Sequence, residues 1–149
     1  MNPTADERVS PVAGDHLVAR PHVIATRCIT LDNIPENVFP WIRQMGFGRA
    51  GWYSHDWIDN LGRASAARIH DEWQDVVSGS KVPGGPIDFV AAIVEPPHVF
   101  VLQVGDDGRR LNFTLAYELR EIRVDGRTQT RLVTRMRARV PGEIGRAHV

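Results

Sequence analysis

Lysine is almost missing from this chain of 149 residues: Lys81 is the single one among eighteen basic residues, and all the others are Arg. Such a bias reflects a GC-rich coding sequence at least as readily as a demand for guanidinium groups. Net charge is missing too, because eighteen Asp and Glu balance the basic residues to a formal charge of zero. A chain-wide attraction to nucleic acid or to an anionic membrane surface is therefore not expected. Cysteine occurs once, at Cys28, which excludes an intramolecular disulfide and a Cys-based metal cluster. A reducing, cytoplasmic setting is the expectation. No apolar run approaches eighteen residues, so no stable membrane insertion is expected, and the first residues lack the basic-then-apolar order of a signal peptide. What remains is the composition of a globular domain, 42% hydrophobic and 24% charged.

Residues 1–20 are polar and irregular and are expected as a loose lead-in. His22 to Asp32, "HVIATRCITLD", is rich in β-branched residues and predicts a first strand. In "NIPENVFPWIRQMG", Pro35 suits a first helical turn, Asn33 is a nearby cap and Glu36 favours the dipole. Val38, Trp41, Ile42 and Met45 then recur at helical spacing and share one face, with Pro40 expected near the helix start and Gly46 as the stop. A second short helix or turn is expected from Ser65. From Lys81 onward the pattern turns to β. Asp88–Val94 and His98–Val104 flank "EPP", and "RLNFTLAYELREI" alternates with Leu111, Phe113, Leu115, Tyr117 and Leu119 on one side. "TRLVTRMRARV" sets Leu132, Thr134, Met136 and Ala138 opposite Arg131, Arg135, Arg137 and Arg139. "GDDGR" and "VDGR" predict hairpin turns. The order is that of an α+β domain with a curved antiparallel sheet, two short helices after the first strand and one apolar face to cover.

Chemistry-bearing motifs are sparse. His55 and Asp56, or His70, Asp71 and Glu72, are adjacent in sequence, and adjacent residues point in different directions, so a surface or capping role is the simpler reading. "HDEW" lacks a second His at ligand spacing, and no metal is expected. Cys28 lies within a β-branched run, where a buried, inert thiol is the common outcome. "GFGRAG" follows a helix and is a poor phosphate loop. The four alternating arginines are read as a solvated strand face in preference to an anion patch. The densest feature is Trp41 to Asn60, which holds three of the four tryptophans beside Gly46, Gly48 and Gly51. Large aromatics of this kind either fill a core corner or wall a pocket in which a few polar groups orient a ligand.

The block "ATRCITLDNIPENVFPWIRQMGFGRAGWYSHDWIDNLGR" with "RIHDEWQDVVSGSKVP" resembles the SRPBCC superfamily of START-like and Bet v 1-like domains. Within it, the likeness is to bacterial members described as polyketide cyclase/dehydrase-like, and it runs from about Gly14 to about Pro141. That resemblance implies a helix-grip fold, in which an antiparallel sheet wraps a long C-terminal helix around a deep apolar cavity. It implies a small hydrophobic partner (a lipid, sterol or polyketide-like molecule) and no cofactor. The expected cavity wall is Trp41, Met45, Trp52, Tyr53, Trp57, Phe89, Phe100, Phe113, Leu115 and Tyr117. Two other functions follow from the same likeness: a cyclase or dehydrase moving a proton through His55, Asp56 or Tyr53, and a regulatory or chaperone-like module that binds a protein partner.

Residues 21–142 are thus expected to form an incomplete domain whose long C-terminal helix is missing from this chain. Ile144–Val149 back-translates into a widely used sequencing adapter, so residues 143–149 are expected to be a read-through artefact. Loss of that helix would leave Leu111, Phe113, Leu115, Tyr117, Leu132 and Met136 in an open trough and the chain marginally stable.

Overall fold

The computed structural model describes residues 2–43, 74–82, 88–105 and 111–140. Its elements are helix α1 (Ala5–Val9), a 3₁₀ turn (Asp15–Leu17), strand β1 (Val23–Leu31), helix α2 (Pro35–Arg43), and strands β2 (Lys81–Val82), β3 (Phe89–Glu95), β4 (Val99–Gly105), β5 (Asn112–Val124) and β6 (Arg127–Arg139). All six strands form one antiparallel sheet in the order β1-β6-β5-β4-β3-β2. The first and last strands in sequence are therefore neighbours. The α+β class and the strands expected from alternation are observed, with ends within one to three residues of those expected.

The long β5–β6 hairpin closes through Asp125 and Gly126, with φ of 51° and 79°. Two successive positive φ angles are the signature of a type I′ turn, whose twist matches that of the flanking strands. At the other end of β5, Gly105 faces Asn112 across the β4–β5 pair with φ of 77°. A Cβ there would lie 1.8 Å from the Leu111 carbonyl oxygen, so only glycine fits.

Period-two alternation divides the sheet into two faces, and both are buried. On one, Ile29, Leu31, Ala91, Phe100, Leu102, Tyr117, Leu119 and Leu132 form a cluster with Val38, Phe39 and Ile42 of α2. Burial of each large side chain of this kind stabilises by ~1.5–3 kcal/mol relative to leaving it exposed. A register shift between Ala91 and Ile93 lets β3 send Ala91 and Val94 to this face and Ile93 to the other.

Helix α2 begins at Pro35 as expected, and the Asn33 side chain accepts from the Ile34 amide and from Asn37 Nδ2. Its buried stripe is Pro35, Val38, Phe39 and Ile42, whereas Trp41 is half-buried. Pro40 is the sixth residue of the helix and so belongs to its interior, not its start. The carbonyl deprived of a donor there is that of Glu36, which is exposed and can bond water. Residues 74–77 are not helical; they run against the end of α2, with Gln74 Nε2 donating to Pro40 O and Arg43 donating twice to Val76 O. The remainder of the second expected helix lies outside the described residues.

The second face corrects the reading of the lead-in and of the arginines. Residues 2–20 are not loose: they lie across β5 and β6, where Val12, Ala13 and Leu17 pack on Cys28, Val101, Ala116 and Val133. Helix α1 is closed at its start by a reciprocal capping box between Thr4 and Glu7. None of its residues is buried, so polar contacts hold it. Arg131 pairs with Glu7, Arg137 donates to Val18 O and Arg139 to Arg20 O. Arg135, only 3% exposed, makes five hydrogen bonds, to Thr26 Oγ1, Ser10 O, Asp15 Oδ2, Glu7 O and Arg8 O. The expected solvated face is thus the seat of the N-terminal segment, because a guanidinium can satisfy several backbone carbonyls at once.

Candidate functional site: the apolar face beneath helix α2

Two strands define the centre of the α2 face. In β5, Phe113, Leu115, Tyr117 and Leu119 alternate onto it, and their partners across β4 include Leu102 opposite Leu115 and Phe100 opposite Tyr117. In β6, Leu132, Thr134 and Met136 stand opposite Leu119, Tyr117 and Leu115. The face is unevenly covered along its length. Near α2, Phe100 is fully buried and meets Phe39 edge-on with ring centroids 6.2 Å apart. Towards Gly105, Phe113, Leu115 and Met136 are only half-buried. Phe89 of β3 leans on Phe113, with ring centroids 6.1 Å apart at 56°.

The five expected wall residues on strands therefore separate into two roles. Phe100 belongs to the sealed core, where it cannot touch a ligand without repacking. Phe89, Phe113 and Leu115 are half-buried beside it, and Tyr117 sits between the two zones at 7% exposed. Trp41 of α2 is half-buried but is not among the side chains packed on this cluster. Met45, Trp52, Tyr53 and Trp57 lie outside the described residues, as do His55 and Asp56. The open trough expected over six residues is also corrected: Leu132 and Tyr117 are buried, and Leu111, Phe113, Leu115 and Met136 are half-buried, none of them bare. Helix α2 packs in the cluster that includes Leu132 and Tyr117, which accounts for their cover.

Among the described residues of this cluster, Tyr117 is the one titratable group. Burial alone pushes its phenol well above the usual range, since no charge and no hydrogen bond acts on it. It therefore stays protonated at any physiological pH. Cys28, on the opposite face, has its thiol raised by burial first and by the nearby Glu7 charge second. It is the inert thiol its strand position predicts.

A concavity of about 510 Å³ opens on the N-terminal side between Val12, Asp15, Ile93 and Glu118. Two of its three carboxylates are engaged: Asp15 Oδ2 is 2.8 Å from Arg135 and Glu118 pairs with Arg120. The Asp15–Arg135 pair helps to hold residues 2–20 in place. Among the described residues no three of His, Cys, Asp and Glu converge on a point that could hold a metal ion, and no helix is long and apolar enough to cross a membrane. Comparison of the chain with protein-family models and with curated proteins returns no match.

Proposed function

We propose that this chain binds a small hydrophobic molecule, a lipid, sterol or polyketide-like compound, on the α2 side of its sheet. The supporting observation is the half-buried group of Phe89, Phe113 and Leu115, continuous with a fully buried core. Large apolar side chains of this kind supply the area that ligand pockets use, while the neighbouring core holds them in place. The likeness of the sequence to helix-grip domains of the SRPBCC superfamily supports the same reading, because the antiparallel sheet with short helices is compatible with that architecture. Membership of that superfamily is part of the proposal.

Titration of intrinsic tryptophan fluorescence with a fatty acid, a sterol and an aromatic polyketide tests it. Saturable quenching or a blue shift with one of these classes, lost on Phe113→Asp, is the expected result. Absence of any response across the panel overturns the proposal.

A further inference from the structure

Strand β1 is an outermost strand of the sheet. It pairs with β6 residue for residue from Val23 to Leu31, and among the described residues nothing pairs with its other side. The first part of that edge is apolar and open. Val23 and Ile24 are 45% and 53% exposed, Ala25 is exposed beside them, and Arg27 is the first charged residue of the strand. Proteins keep foreign strands off a sheet edge with charges, prolines, bulges or extreme shortness. Val23–Thr26 has no charge, no proline and no break in register. The opposite edge is guarded in just that way, because β2 is only Lys81 and Val82 and Lys81 is exposed.

We propose that Val23–Arg27 is a self-association edge, where two copies of this chain join their β1 strands antiparallel about a two-fold axis at Ala25. Main-chain hydrogen bonds would continue the sheet from one copy into the other. The sequence of the edge is complementary to itself in this arrangement. Val23 faces Arg27 of the second copy, Ile24 faces Thr26, and Ala25 faces Ala25, so no like charges stand opposite. The aliphatic stem of Arg27 can then cover Val23. A parallel pairing in the same register would instead set Arg27 beside Arg27. Joining β1 of one copy to β2 of the next, which would build an open chain of molecules, is blocked by the brevity and charge of β2. The closed pair is what remains. A formal net charge of zero adds no long-range repulsion between the copies. Five paired residues a side fall short of the ~1,200 Å² of a standard stable interface. The dimer is therefore weak, with a Kd of roughly 0.1–1 mM.

Sedimentation equilibrium of the full chain over a hundredfold concentration range, reaching about 1 mM, tests this together with two variants. The intact chain should pass from monomer to dimer and no further. Ala25→Lys and Ala25→Glu each set like charges face to face on the axis, and each alone should stay monomeric over the range. Mixed in equal amounts they should pair with one another at least as tightly as the intact chain pairs with itself. Hydrogen exchange of the intact chain provides a reading that needs no variant: backbone amides within Val23–Arg27 should gain protection as concentration rises. A chain that is monomeric throughout overturns the proposal. So does growth beyond the dimer, a dimer that persists in both variants alone, a mixture of the variants that fails to pair, or protection that rises elsewhere and not in β1.

Discussion

Arg135 Nη1 donates to Asp15 Oδ2 at 2.8 Å, joining the last strand to the N-terminal segment across 120 positions of sequence. The arginine is almost wholly buried, while the Asp15 side chain keeps a quarter of its surface in water. Around this pair the same guanidinium takes up three carbonyl oxygens of residues 2–20 and the Thr26 hydroxyl. Side chains of β6, joined by Asn112 of β5 donating to Leu17 O, thus hold the segment by its backbone.

Arg135→Met should therefore destabilise the domain by ~2–4 kcal/mol. It strands a partly buried carboxylate and several carbonyls while keeping much of the side-chain volume. Urea unfolding followed by circular dichroism measures this, and limited proteolysis should cut residues 2–20 first. An unchanged midpoint with unchanged cleavage would show that the apolar contacts of Val12 and Leu17 suffice.

Acid should loosen the same segment through Glu7. Hydrogen bonding from Arg131 first, and from Thr4, holds its carboxyl below the ordinary 4.5, at about 2. A group whose pKa is depressed in the folded state stabilises above its unfolded value, and that stability is lost as pH falls through the folded value. The window is thus about pH 4.5 down to 2, and the effect is about 1–2 kcal/mol after allowance for screening. The urea midpoint of the wild type should fall across this window more steeply than that of Glu7→Gln.

Phe100 and Phe113 share a face but should respond differently to truncation. Phe100→Ala empties a sealed position and should cost ~3–5 kcal/mol. Phe113→Ala removes a half-buried ring and should cost about half as much or less, while weakening ligand binding more than it weakens the fold. Paired unfolding and binding measurements on the two variants separate core from wall.

Gly105→Ala should be among the most damaging single substitutions in the sheet. Its Cβ would collide with the Leu111 carbonyl at a backbone angle that L-residues avoid. A loss of more than ~3 kcal/mol, or failure to accumulate as soluble protein, is expected. Gly126→Ala, at a turn position with open space around it, should lose only about 1 kcal/mol.

Much of the fold was legible in the residues themselves. Alternation places Leu115, Tyr117 and Leu119 on one side of β5 and Thr114 and Ala116 on the other, because successive strand side chains point oppositely whatever packs on them. Asp125-Gly126 announces its turn, since few other pairs accept two positive φ angles. Pro35 marks the start of α2, and the β-branched run around Cys28 announces a buried thiol. The candidate site was legible only as a set of apolar residues. That Phe100 is sealed while Phe113 is half-buried depends on where α2 lies over the sheet, and that is a distance across space. The same limit explains the arginines. Periodicity shows that Arg131, Arg135, Arg137 and Arg139 share a side of β6, but not what lies over them. Most of their partners are backbone carbonyls of residues 2–20. Every residue carries a carbonyl, so such a contact leaves no mark in side-chain identity. Only the tertiary arrangement, which brings the first twenty residues onto the last strand, turns a row of charges from a solvated surface into a buried clasp.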